Sequence, residues 1–263
     1  MSPSTASSSN DTTTVAAVGV LAATLATLCH ETLGHGLGCF SAGGHITLLT
    51  SIWFRCSAGS AIADAGGPLG NLVGGALAFA LLSYFRPGPT ARLPLLLCGA
   101  LSLYWLTGQL IFESLTTSHS DWYWAQQTGA AAIVRPVGTV VGIVGYVLVG
   151  RLVAAINTRL GGSNAQAIRL AYAAAAASAV IAGLMWKPEP FRSALEAFLV
   201  LGIAPLGLLS VARKAARGVG DDIGPGTIRR SWVWICAGAA VFGLFLYLQA
   251  RGLGPLAAAT LPA

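Results

Sequence analysis

Two histidines and a glutamate sit within six residues of an otherwise apolar stretch, His30-Glu31-Thr32-Leu33-Gly34-His35. This is the residue set from which helices build hydrolytic zinc sites: imidazole nitrogens bind the metal, and a carboxylate beside them serves as general base. The usual five-residue form places its histidines at i and i+4, about 40° apart around the helix, whereas positions i and i+5 lie about 140° apart on a regular α-helix. Two local structures restore a shared metal. A one-residue bulge of the π type widens a single turn and returns His30 and His35 to one face, with Gly34 easing the distortion. Otherwise the helix stays regular, Glu31 and His35 at i and i+4 become the ligands, and His30 turns outward. The bulge is the expectation. The competing structural explanation is a buried pair of histidines tied into helix packing. Each ionisable side chain in a span costs about 2.5–3.5 kcal/mol on insertion scales, so three together argue for a functional interior.

The elements that carry this cluster follow from composition. Of 263 residues, 55% are hydrophobic and 9% charged, against about 25% charged in a soluble domain. Apolar windows long enough to cross a hydrocarbon core of about 30 Å lie near 15–38, 65–85, 93–114, 137–157, 168–186, 193–211 and 231–250. The expectation is an all-α fold, a polytopic transmembrane helix bundle of six or seven spans. The Ala-rich fifth window carries the weakest insertion signal. A strand-like run at residues 46–54 suits a short hairpin or loop after the first span. The divisions expected are a disordered tail over 1–14, a membrane-embedded core over 15–135 holding the cluster, and additional helices over 136–263.

The net charge of +6 resides mainly at span ends, where it sets orientation, so no nucleic acid is expected as partner. Arg213, Lys214, Arg217, Arg229 and Arg230, with Arg86, Arg92 and Arg159, outweigh Arg55, Arg135, Lys187, Arg192 and Arg251 on the opposite side. That bias places the N-terminus inside. The five cysteines, Cys29, Cys39, Cys56, Cys98 and Cys236, are odd in number and contain no Cys-x-x-Cys pair, which signals neither a disulfide framework nor a thiolate metal site. No internal repeat is visible, which weighs against a transporter with a His/Glu/Asp relay.

The motif in its context resembles the site-2 protease family of intramembrane zinc metallopeptidases. Besides the His-Glu…Gly-His cluster ending the first span, Ala65-Gly66-Gly67-Pro68-Leu69-Gly70-Asn71 looks like that family's Ala-Gly-Pro-x-x-Asn segment, the two together covering about residues 15–85. The six-residue motif is also similar to the His-Glu-x-x-Gly-His of the dipeptidyl-peptidase III family. The resemblance implies zinc as cofactor, Glu31 as the catalytic residue, and Asn71 beside the metal, holding substrate or oxyanion. It implies a membrane protein or peptide as substrate, held extended by the strand-like run at 46–54. The family's later Asp-Gly ligand motif is absent, which leaves Asp121, Glu113 and His119 as candidates for the third ligand. Asp121 leads, since some members carry a comparable Ser-Asp or Gly-Asp segment there, against an equal alternative as N-cap of the next helix. Asp64 is expected to cap the second span, and His45 to belong to the surface hairpin. The expected protein is thus a multi-pass zinc metallopeptidase of the plasma membrane. The alternative is a catalytically inactive metal-binding membrane protein or regulator.

Overall fold

A backbone N–H or C=O facing lipid finds no water to bond, so an apolar run crossing a membrane satisfies these groups internally as a helix. The computed structural model of the chain describes residues 9–116, 121–126, 131–159, 165–217 and 227–260. Among them, seven helices are long and apolar enough to cross: Thr12–Ser41, Ala61–Phe85, Pro89–Leu115, Ala132–Arg159, Ala165–Leu184, Pro190–Ala215 and Trp232–Ala250. The protein is an all-α, multi-pass membrane protein.

The first span joins α1 (Thr12–Thr27), a π-helical stretch (Leu28–His35) and α2 (Gly36–Ser41). After a hairpin come α3 (Ala61–Phe85), α4 (Pro89–Leu115), the short α5 (Tyr123–Gln126), α6 (Ala131–Arg159) and α7 (Ala165–Leu184). The sixth span runs from α8 (Pro190–Phe198) through a π turn and a 3-10 turn, where Pro205 breaks the helical geometry, into α9 (Gly207–Arg217). α10 (Trp232–Phe245) ends in a π stretch, Leu246–Ala250, followed by α11 (Pro255–Thr260).

Polar caps carry the helices past the apolar windows. Asp11 Oδ1 accepts the Thr14 N–H at 2.8 Å, so α1 starts at Thr12, inside the stretch expected to be a disordered tail. Residues 1–8 of that tail lie outside the described residues. The cap of α3 is Ser60, whose hydroxyl accepts the Ala63 N–H at 3.2 Å. Asp64, expected in that role, lies within the first turn, because a cap needs the extended backbone that Ser60 has. Segments near both ends of the described residues are tied to other parts of the bundle. Asp11 N–H donates to the Ile228 carbonyl at 2.8 Å on one face of the bundle, and Leu49 and Leu253 exchange backbone bonds of 2.9 and 2.8 Å on the other.

In lipid, helices associate through close van der Waals packing, which small residues permit. Gly66, Gly70 and Gly74, one turn apart on α3, lie directly on the π stretch. A Cβ on Gly66 would overlap the Gly34 carbonyl, one on Gly70 the Cys29 carbonyl, and one on Gly74 the Cys29 sulfur. The Ala-rich α7 uses the same device, its Ala171 backbone pressing on Gly19 of α1. The core lies around α4, whose Leu93, Leu96, Leu97, Leu101, Tyr104 and Trp105 are all buried, whereas α6 turns Val140, Val141 and Val144 outward, as lipid demands.

The strand-like run proves to be a hairpin. β1 (Ile46–Leu49) pairs antiparallel with β2 (Phe54–Cys56), Leu49 opposite Phe54. Thr50 shapes the turn, its hydroxyl taking the N–H of Trp53 at 2.8 Å and of Ile52 at 3.2 Å. His45 is exposed at the hairpin's base, its Nδ1 2.9 Å from Ser57 Oγ. The cysteine expectation needs correction: Cys39 and Cys56 form a disulfide, Cα atoms 5.7 Å apart. Counting and local spacing miss it because the pairing depends on the hairpin folding back over the end of α2.

The glycine contacts yield a direct comparison. Gly70→Ala should destabilise the protein by about 1–3 kcal/mol through overpacking. Gly243→Ala, with no atom within 4 Å of its would-be Cβ, should change stability by less than about 0.5 kcal/mol. Thermal unfolding midpoints in detergent separate the two.

Candidate metal centre

The extra residue in the histidine motif is absorbed by the backbone. Leu28–His35 is π-helical, with bonds running i to i+5, so residues five apart share one face. The imidazoles of His30 and His35 meet with ring centroids 4.9 Å apart at 83°. This is the first of the two local structures open to the motif. Gly34 makes it possible, since the widened turn is covered by the backbone of Gly66.

Asp121 comes to this face from the connection after α4. Its Oδ2 lies 2.9 Å from His30 Nε2, and its Oδ1 lies 3.3 Å from His35 Nε2. Burial opposes the charge on Asp121, but the two imidazoles outweigh it and hold the carboxyl below the ordinary carboxylate range. Glu113 lies fully buried near the end of α4, where its Oε2 accepts the Trp122 N–H at 2.8 Å. It fixes the turn that presents Asp121 and stands outside the ligand group. His119, the third candidate, lies outside the described residues.

Each imidazole is oriented from behind. His35 Nδ1 lies 2.7 Å from the Ala63 carbonyl, which only an N–H can satisfy, so Nδ1 carries a proton and Nε2, which faces Asp121, is the nitrogen that gives its lone pair to a metal on releasing its own proton. Asn71, completely buried, places its amide 2.8 Å from His30 Nδ1 while its Oδ1 has no partner among the described residues. Amide oxygen and nitrogen are assigned from their bonding network. As placed, Asn71 Nδ2 faces His30 Nδ1; turning the amide lets Oδ1 accept from Nδ1 instead, which leaves His30 Nε2 as the nitrogen available to a metal. Trp105 stacks on His30 at 4.1 Å between centroids, and Phe54 of β2 stacks on His35 at 5.1 Å. Gly67 completes the space, because a Cβ there would overlap Nε2 of both histidines.

This donor set fits a metal ion. One atom each from His30, His35 and Asp121 lies within 4.8 Å of the others. Tetrahedral bonds of about 2.0–2.1 Å put neighbouring donors about 3.3 Å apart, close to the spacing of Asp121 from each ring. The three residues form a group able to hold a metal ion. Beside them Glu31, 2% exposed, has an Oε2 with no hydrogen-bond partner among the described residues.

The last spans also reach the site. Gln249, buried in the terminal π stretch, accepts the Thr32 hydroxyl at 2.7 Å on its Oε1 and donates from Nε2 to the Thr50 carbonyl at 2.8 Å. It joins the motif helix to the hairpin turn. Trp53 Nε1 donates to Glu196 of α8, a second anchor for the hairpin. Gln249 carried one usable signal in the sequence, an uncharged polar side chain in an apolar span. Trp105 and Phe54 carried none, since aromatic residues are common in any such bundle.

No family model, curated protein or solved structure matches the chain.

Removing the partner behind a ligating imidazole typically lowers metal affinity 10–100-fold. Asn71→Leu is therefore expected to weaken metal binding at this group by about that factor, and Gly67→Ala to abolish it, in competition against a chromophoric chelator. Unchanged affinity in both variants would show that the metal lies elsewhere.

Proposed function

We propose that the chain is a membrane-embedded zinc metallopeptidase that hydrolyses peptide bonds in or near the membrane. The observation that carries this reading is the π stretch, which turns two imidazoles onto Asp121 and leaves a buried carboxylate oxygen of Glu31 unpartnered among the described residues beside them. His30, His35 and Asp121 would hold the metal. Zinc, when bound, supplies Lewis-acid polarisation and brings the acidity of water towards a pKa of about 7.

The chain's own residues supply the rest. Glu31 Oε2 is free to accept a proton from the attacking water and to return it to the leaving amide nitrogen. Asn71 orients His30 through Nδ1, a positioning role in place of the substrate contact that the resemblance implies. A substrate helix hides its carbonyls and must be opened before attack, and a strand edge can hold it extended. The edge we assign is that of β2, which has no second strand partner among the described residues and carries Phe54 against His35. Ile52 lies in the turn, so the edge role belongs to Phe54–Cys56. We place the protein in the plasma membrane, whose outer face is oxidising enough to preserve the Cys39–Cys56 bridge.

A second reading, a metal-binding regulator without hydrolytic activity, is favoured by the burial of Glu31, whose side chain water and substrate must reach. Zinc analysis and a cleavage assay on the purified chain separate the two. The peptidase reading expects about one zinc per chain, lost in His35→Ala and in Asp121→Ala, and retained in Glu31→Gln with loss of cleavage. Zinc bound at that stoichiometry without any hydrolysis would establish the regulator, and no bound zinc would remove both readings.

A further inference from the structure

Two features with no part in metal binding bear on which side of the membrane the centre serves. One is the disulfide. Cys39 ends the first span and Cys56 lies in β2, on the face that also holds the Asp121 turn and the Leu49–Leu253 pair. Disulfides persist in oxidising compartments and are rare where thiol reductants prevail. The other is the distribution of cations. The opposite face, where Asp11 meets Ile228, holds Arg213, Lys214, Arg217, Arg229 and Arg230 around the connection between α9 and α10. The ends of the other spans on that face add Arg86, Arg92, Arg159 and Arg169. The disulfide face holds Arg55, Arg135, Lys187, Arg192 and Arg251, of which Arg192 is paired with Glu189 at 3.1 Å and Glu196 at 3.0 Å. Cytoplasmic loops carry the excess of Lys and Arg. Redox chemistry and charge are independent, and they point the same way.

The depth of the centre follows from the same frame. Only the six residues of α2 separate His35 from the end of its span, a rise of about 9 Å. Gly67 and Asn71 belong to the first turns of α3, which descends from this face, and Asp121 follows the end of α4. Every ligand lies in the half of the bundle nearest the disulfide.

We propose that the centre opens towards the extracytoplasmic side and acts on peptide segments presented there, the extracytoplasmic ends of membrane-anchored chains. The substrate clause rests on the peptidase reading, whereas the sidedness does not. A chain entering from the cytoplasm would have to bring its scissile bond across most of the bundle, while one entering from outside meets the β2 edge and His35 together.

Sidedness is tested on the full-length protein in intact cells with a membrane-impermeant maleimide, in a Cys236→Ser background. Lys187→Cys and Lys214→Cys each add one thiol at an exposed position, on opposite faces, and the unsubstituted background, which keeps Cys29 and Cys98, is the control. Lys187→Cys is expected to gain label in intact cells, and Lys214→Cys only after permeabilisation. The reverse pattern, or equal labelling of both before permeabilisation, overturns the proposal. The substrate clause is tested with single-span peptides co-expressed with the protein, carrying a helix-breaking pair in either the outer or the inner half. Cleavage of the outer-half peptide, lost in Glu31→Gln, supports it, and cleavage of the inner-half peptide alone overturns it. If neither is cut while the labelling pattern holds, sidedness stands and the peptidase reading fails.

Discussion

His35 lies five positions after His30, and a helix can aim both imidazoles at one ion only by widening a turn. A widened turn packs poorly against an ordinary neighbour, since its backbone bulges towards the adjoining helix. The glycines at 66, 70 and 74 remove the side chains that would collide with it, so that backbone meets backbone along the π stretch. The same register of α3 brings Gly67 under both Nε2 atoms and Asn71 behind His30. One extra residue in the first span thus dictates the composition of the second.

A polar cluster inside an apolar bundle stays ordered only when each member is held from more than one side. The imidazoles are held at Nδ1 by Ala63 and Asn71 and across their faces by Phe54 and Trp105, and Asp121 is presented by a turn that Glu113 anchors. The hairpin that delivers Phe54 is fixed by the Cys39–Cys56 bridge, the Leu253 pairing, Gln249 and Glu196. These ties come from both halves of the chain. The later spans therefore help to build the site that the first three contain.

Much of this was legible in the sequence, for identifiable reasons. Long apolar runs announce helices because lipid leaves the backbone no alternative, and seven such helices are present. The odd histidine spacing itself announced a π turn, because few local structures reconcile it with a shared ligand. Asp121, put ahead of Glu113 and His119 by the family resemblance, meets the two histidines in the structure. What escaped were partners fixed by tertiary folding. Cys39 and Cys56 are 17 residues apart and meet only through the hairpin, and Gln249 finds Thr32 across 217 residues. Asp64 was mistaken for a cap because residue type cannot tell the position before a helix from one inside its first turn.

Both histidines of the lengthened motif are proposed ligands of the same ion. X-ray absorption at the zinc edge of the metal-loaded protein counts imidazoles directly through their multiple scattering. The account requires two imidazoles and a carboxylate oxygen at about 2.0–2.2 Å, with one imidazole lost in His30→Ala. A single imidazole in the wild type, unchanged by His30→Ala, would instead mean that His35 binds without His30, and the role assigned to the π stretch would be wrong.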